Sequence, residues 1–366
     1  MNGKLLSKVL SCFFAIVFLA VIGCGKSSDD SSSTTFSQAD LMGTWNFQIL
    51  KTDGSTANGW QRFFAMIDAS GNFIAFTGCL DSDGSTTCPD ANTITWTIDA
   101  SGVITESGTG GNAKAHYNMA SNKKLVAGTA DNSSIQMIIV QKYVSGTSYT
   151  NSDIDSRTFV IHQLMVGSDN MWEYASGSTN TDRVINLSSV TNPGGTTAPG
   201  DSGTIVVAPG GYVGIDSLSS FEGFMSSDKK TIVGTYTDNN GVGDDYHLMI
   251  IQITTDQNTT AGSLPSVTSF GHMLDAGASP APFWAHYTST VSSGSISFSN
   301  IVSSSSSVTT FDSVTGANID ATGGITFSGT TFNYHGQQSF DGHFAVGTQT
   351  MHSTTTPIYM MTVDVK

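Results

Sequence analysis

Four landmarks recur in the same order three times along this 366-residue chain, and that recurrence limits its folds more than any other feature. A tryptophan comes first, as Trp60, Trp172 and Trp284. A turn between apolar runs follows, as Ile98-Asp99-Ala100-Ser101-Gly102-Val103, more loosely as Val207-Ala208-Pro209-Gly210-Gly211-Tyr212, and again as Ile319-Asp320-Ala321-Thr322-Gly323-Gly324. Next stands a Gly-Thr pair at Gly128-Thr129, Gly234-Thr235 and Gly347-Thr348, and then a methionine-bearing apolar run, from Ile135, Leu248 and Ile358 respectively. The period is about 110 residues, longer than that of the common solenoid repeats. It divides the chain into units of about 39–143, 144–253 and 254–366.

Within each unit the pattern is β. Short runs rich in Val, Ile, Thr and aromatics are separated by Asp-Ala-Ser-Gly, Asn-Lys-Lys and Pro-Gly-Gly turns, and Phe64 to Phe76 reads as a hairpin around Asp68-Ala69-Ser70-Gly71. No stretch after residue 30 has a helical period. About eight strands per unit make about 24 in all. The expected architecture is all-β, a six-bladed β-propeller over 39–366 with two blades per repeat unit. Its ring would close by letting Thr44 to Leu50 share a blade with Ile358 to Val365, which removes exposed edges. The alternative is three tandem eight-stranded barrels. Gly43-Thr44-Trp45 resembles the Gly-X-Trp of lipocalin-like barrels, whereas Arg157-Thr158-Phe159 and Thr268-Ser269-Phe270 stand at the matching places of the later units. Short linkers between units favour the single propeller, because separate barrels predict clearer boundaries.

The first 23 residues read as an export signal. Lys4 and Lys8 form a positive start, and Val9 to Ile22 form an apolar run too short to span a bilayer. The run ends in Val21-Ile22-Gly23-Cys24, which resembles the lipobox of bacterial lipoproteins. That resemblance implies cleavage before Cys24 and attachment of diacylglycerol to its thiol. The competing reading is an ordinary secretory signal with an incidental cysteine, and the following segment speaks against it. Residues 24–38 are rich in Ser, Thr and Asp, as a flexible tether between membrane and domain should be. Several acyl chains on one cysteine give stable anchoring. The absence of Asp directly after Cys24 implies, by the same resemblance, sorting to an outer membrane and a place in the cell envelope.

The net charge is −15, and loss of the signal's two lysines leaves the processed chain more negative still. Such a surface repels phosphate backbones, which excludes nucleic acid as a partner; loosely held divalent cations are compatible with it. Of the four cysteines, Cys12 leaves with the signal and Cys24 takes lipid. Cys79 and Cys88 remain, and in an oxidising compartment they should form a disulfide stapling one loop. The rival, a zinc pair, lacks further Cys or His nearby.

Candidate chemistry is sparse. Gly200-Asp201-Ser202-Gly203 resembles the nucleophile motif of chymotrypsin-like proteases, but His116 as base has none of that family's surrounding sequence, and a loop entering a strand explains the motif. The acidic turns at Asp81/Asp83, Asp153/Asp155 and Asp238 to Asp245 lack the twelfth-position glutamate of an EF-hand and read as solvated hairpin tips. His116, Glu222 and His335 each lie twelve residues before the glycine of a Gly-Thr pair. In a closed threefold structure they could converge as a transition-metal set, against the simpler reading of a polar position on an outer strand. The recurring tryptophans read as packing residues. Two functions follow: a membrane-anchored, non-enzymatic binding or scaffold module for a surface or periplasmic protein or glycan, or a propeller hydrolase or lyase with its site in the central channel. The absence of any acid-base or nucleophile constellation favours the first.

Overall fold

The first and last long strands of each repeat unit have two dry faces. In the last strand, Pro357–Val365, Met361, Val363 and Val365 belong to one apolar cluster while Met360 belongs to another. In the first strand, Gly43–Thr52, Leu50 faces the first of these clusters and Trp45, Phe47 and Ile49 face a third. A strand buried on both sides needs a layer on each side, and side chains on successive residues point to opposite faces. The computed structural model supplies both layers by curling the chain into three barrels and packing the barrels together. It describes residues 34–53, 58–112, 114–131, 134–197, 203–239, 241–276, 282–306, 308–328, 332–352 and 357–366.

The described strands form three antiparallel sheets of eight, nine and nine strands. In each, the first long strand pairs with the last: Gly43–Thr52 with Ile135–Tyr143, Thr158–Gly167 with Asp244–Ile253, and Val267–Asp275 with Pro357–Val365. Each sheet thus runs as an up-and-down meander around a ring. The remaining gap is spanned by one isolated bridge per barrel, Asn72 to Thr95, Val184 to Thr204 and Ile296 to Val314. In the first barrel the Cys79–Cys88 disulfide staples the loop at this gap, with Cα atoms 5.4 Å apart.

This architecture corrects the expected propeller. Thr44 to Leu50 pairs with Tyr143 to Met137 of its own unit, and the last strand pairs with Val267–Asp275 and Phe344–His352, also of its own unit. All described strand pairings stay within one unit, so no shared blade is needed to cover an edge. The three-barrel alternative fits instead. Its linkers are short because the barrels share a core and need not be spaced as separate domains.

That shared core lies where a propeller would have its channel. Leu50 and Met137 from the first barrel, Leu164 and Trp172 from the second, and Leu274 and Met361 from the third join one buried cluster. The barrels meet cyclically: the first two strands of each pack against the last two of another, the first barrel on the second, the second on the third and the third on the first. The Gly-Thr pair explains itself here. A Cβ on Gly128, Gly234 or Gly347 would collide with the ring of Tyr117, Phe221 or Tyr334 inside the barrel. The adjoining Thr129, Thr235 and Thr348 point outward and are fully buried at the three seams. Thr235 Oγ1 donates to Gln48 Oε1 at 3.0 Å, while Thr129 and Thr348 sit 3.4 and 3.3 Å from Nδ1 of His272 and His162. The tryptophans also lie at seams, where Trp60 and Trp172 each donate to a threonine of the neighbouring barrel at 2.8 Å.

Candidate functional site

The residues singled out from sequence go to separate places. Cys24 lies outside the described residues, as do 200–202 of the serine motif. His116, Glu222 and His335 share one register position, each opposite the threonine of a Gly-Thr pair. They do not face a common axis; each sits at a different seam. His116 stacks on His286 with centroids 5.3 Å apart, Glu222 accepts an ion pair from Arg62 at 2.8 Å, and His335 stacks on Tyr174 at 4.7 Å. Among the described residues no group of three His, Cys, Asp or Glu is placed to hold a metal ion. Of the acidic turns, Asp81 and Asp83 both accept from the Ser85 backbone N–H, and Asp153 pairs with Lys229.

A cavity of about 140 Å³ occupies the interior of the third barrel. Strand register shows why it is there. In the first barrel Phe47 stands opposite Val140 and Phe63; in the second, Ile161 stands opposite Ile251 and Ala175; in the third, Gly271 stands opposite Asp364 and Tyr287. Two residues earlier, inward-facing Trp45 and Phe159 give way to Ser269, and their partners Ala65 and Gly177 to Ser289. Ile138 and Met249 give way to Thr362, and Val126 and Ile232 to Ala345. The first two interiors are each one continuous apolar cluster. The third is split into two smaller clusters, with the cavity between them. The Gly-X-Trp comparison had set Phe270 beside Trp45, but the register places Ser269 there and turns Phe270 outward, against His286.

The mouth has an equally specific origin. One helical turn, Gln38–Leu41, precedes the first barrel and drives Leu41 into its end, where the Leu41 carbonyl accepts from Trp45 Nε1 at 2.7 Å. A 3-10 turn, Asn151–Asp153, precedes the second barrel and delivers Tyr149 and Ile154 likewise. Both turns carry a capping box and are clamped by a lysine, Asp40 with Lys123 at 3.0 Å and Asp153 with Lys229 at 2.8 Å. Burial alone would raise the Asp40 carboxyl, but its bonds to Lys123 and Ser37 hold it below its ordinary value. No helix lies between Ile253 and Val267, ahead of the third barrel. The lysine position is Gly342 there, at φ +75°, and Gly342 lines the cavity together with Lys366. Lys366 corresponds in register to Lys142, whose Nζ donates to the Asp40 carbonyl of the first barrel's plug at 2.7 Å.

The lining is mostly aromatic and aliphatic. Tyr287, Phe298 and Phe311 form an edge-to-face trio with centroids 5.4 to 5.7 Å apart, and Phe327 stacks on Tyr334 at 4.0 Å. A chain of polar groups runs through this apolar wall: Ser269 and Ser289 hydroxyls lie 2.7 Å apart, and Ser289 donates to Asp364 Oδ1 at 3.3 Å. Burial pushes the Asp364 carboxyl up to about 7, against the opposing effect of Ser289 and Tyr287 donating to it. Burial also raises the Tyr287 and Tyr334 phenols, which therefore remain neutral donors. An apolar pocket holding a few convergent polar groups and a perturbed carboxyl has the composition of a small-molecule site.

Sequence reading missed Asp364. Its signal was an acid in an otherwise apolar closing strand, at a place where the other units carry Val140 and Ile251. That signal becomes legible only when strands are aligned by register and inward positions compared.

No protein-family profile and no curated protein matches this chain. Among solved structures, a point mutant of transferrin binding protein B from Haemophilus parasuis aligns at 11% identity over 88% of this chain and 75% of its own, with a TM-score of 0.30. Transferrin binding protein B of serogroup B Neisseria meningitidis aligns at 10% identity over 84% and 63%, with a TM-score of 0.27. A DUF3598-family protein of unknown function from Nostoc punctiforme aligns at 7% identity over 90% and 99%, with a TM-score of 0.19. Overlaps this loose determine neither fold nor function here, and both rest on the chain's own geometry.

Proposed function

We propose that this protein is an exported, lipid-anchored binding protein that holds a small, largely apolar molecule inside its third barrel. One observation carries the reading: three barrels share one register, and among the described residues the third interior lacks the large side chains that fill the other two. Cavities cost stability, roughly 24 cal/mol per Å³ where large side chains have been removed from a packed core. A cavity made by coordinated replacement at Ser269, Thr362 and Ala345 is best understood as a binding space. The enzyme alternative rested on a propeller channel, and the shared core fills that place.

Anchoring follows from the lipobox and the polar tether after Cys24. The wild type should partition into detergent, and Cys24→Ser should be released from membranes or left unprocessed; equal partitioning of both forms would refute the anchor. The lipid-free Cys24→Ser chain also suits a binding test. Toluene titrated calorimetrically should bind it with a stoichiometry of about one. Ala345→Ile, which copies Ile232 of the second barrel, should abolish that binding while leaving the fold intact. Undiminished toluene binding by Ala345→Ile would place the site elsewhere.

A further inference from the structure

The cavity's chemistry is more particular than its apolarity. Asp364 lines it where the other barrels carry aliphatic residues, and its side chain meets the Ser289 and Tyr287 hydroxyls there. Among the described residues of the lining the cationic side chain is Lys366, which is exposed. A carboxyl placed among apolar groups without a positive partner is costly, and a positive partner supplied by a ligand offsets that cost. The surrounding rings agree in sign. Aromatic faces are electronegative and attract organic cations, most strongly where water is excluded. Asp312 at the rim and the net charge of −15 draw a cation towards the mouth.

We propose that the cavity recognises a benzene-sized organic amine, its ammonium against the Asp364 carboxylate and its apolar body among Tyr287, Phe298, Phe311 and Tyr334. This deepens the small-molecule reading above and rests on it. The size follows from volume, since a cavity near 150 Å³ admits a single benzene ring. A bare metal ion is a poor occupant, because among the described residues no three ligating side chains converge. A ligand carboxylate would meet a second carboxyl and the faces of the rings. The titratable and charged groups near Asp364 are Tyr287 and Tyr334 inside and Asp312 and Lys366 at the mouth. With Asp364 raised to about 7 in the empty protein, an ammonium that needs its ionised form binds more weakly as the pH falls.

The test compares benzylamine, benzyl alcohol, toluene and benzoate by calorimetry on the Cys24→Ser chain. At pH 8 benzylamine should bind at least about tenfold more tightly than benzyl alcohol, a charge-assisted against a neutral hydrogen bond. Its affinity should drop several-fold from pH 8 to pH 5 while that of toluene stays level. Asp364→Asn should remove the amine preference and keep toluene binding. Should that variant not fold, the amine-to-alcohol ratio and pH profile of the unsubstituted cavity decide alone. Equal or tighter binding of benzyl alcohol or benzoate, with toluene still bound, would overturn the amine assignment and leave the small-molecule reading standing. Failure of all four probes would overturn both.

Discussion

The first and third barrels are built on one register and end in opposite states. In the first, Trp45, Phe47, Phe63, Phe73 and Trp96 interlock, with Phe47 and Phe63 stacked at 4.6 Å and Phe73 edge-on to Trp96 at 5.1 Å. A helical turn closes the end and a disulfide staples the loop at the gap in the ring. In the third, the same inward positions carry Ser269, Gly271 and Tyr287, the end has no helical turn, and a cavity remains. Strand order and pairing do not distinguish a filled barrel from one that holds a cavity. The inward residues do, while outward residues of both barrels, Leu50 and Met137 in the first and Leu274 and Met361 in the third, join the same shared cluster.

The largest expected effect tests that contrast in packing. Trp45→Ala should lower the free energy of unfolding in urea by about 3–5 kcal/mol, the usual cost of truncating a buried aromatic. Ser269→Ala, at the matching position, should change it by less than about 1 kcal/mol. Comparable losses would mean that the third interior is as tightly packed as the first.

Next in size is the pH dependence from Asp364. A carboxyl raised in the folded state favours folding at low pH, and that contribution is lost as pH rises from about 4, the unfolded value, through about 7. Asp364→Asn should flatten the stability profile over this window and make the empty protein more stable than wild type at pH 8. An unchanged slope would show that Asp364 is solvated. In the first barrel Val140 stands at the matching place.

The seams offer a smaller, opposite dependence. Where the third barrel meets the first, His272 and His286 both bond Asn118 Oδ1, at 3.1 and 3.0 Å, and His116 stacks on His286. Burial lowers all three imidazoles, His286 to about 4, so they stay neutral. Stability from such groups is complete above about 6.5 and is lost as pH falls towards the folded value. Where the first barrel meets the second, the Arg62–Glu222 pair and Gln48 stand instead. Hydrogen exchange at pH 5 against pH 7 should therefore show faster opening of His116–Met119 and Val267–Asp275, with Gly59–Ile67 little changed. Uniform acceleration would contradict the difference between seams.

The smallest effect concerns the plug. Lys123→Gly copies Gly342 and removes the pair with Asp40, which is partly exposed and worth about 1 kcal/mol or less. Glycine's ease at the positive φ of Lys123 offsets part of the loss. A drop of several kcal/mol would make the clamp, not the buried Leu41, the element that closes the first barrel.

Much of the local structure was legible in advance. Strand periodicity, Asp-Ala-Ser-Gly turns and the pairing of Cys79 with Cys88 are set by residues close in sequence, and the structure contains them. The shared position of His116, Glu222 and His335 was visible from spacing, but where it faces was not. Spacing along a strand assigns a face, while the neighbour on that face comes from another barrel. Asp364 was overlooked for the same reason, since an acid in an apolar strand has meaning only once its inward direction is known.

By itself the sequence determined that the chain is all-β, acidic and stapled once, because backbone propensity, charge and cysteine count are local or additive quantities. Only the tertiary structure decided between blades and barrels. Both architectures use the same strands and turns, and the choice lies in which strand the last one pairs with. That choice is made by Ile135–Tyr143 lying along Gly43–Thr52, a non-local contact in which nine residue pairs in register outweigh the closure of a long loop. Closing each unit on itself created three interiors, and within the third it turned a few small and polar residues scattered from Ser269 to Asp364 into one cavity.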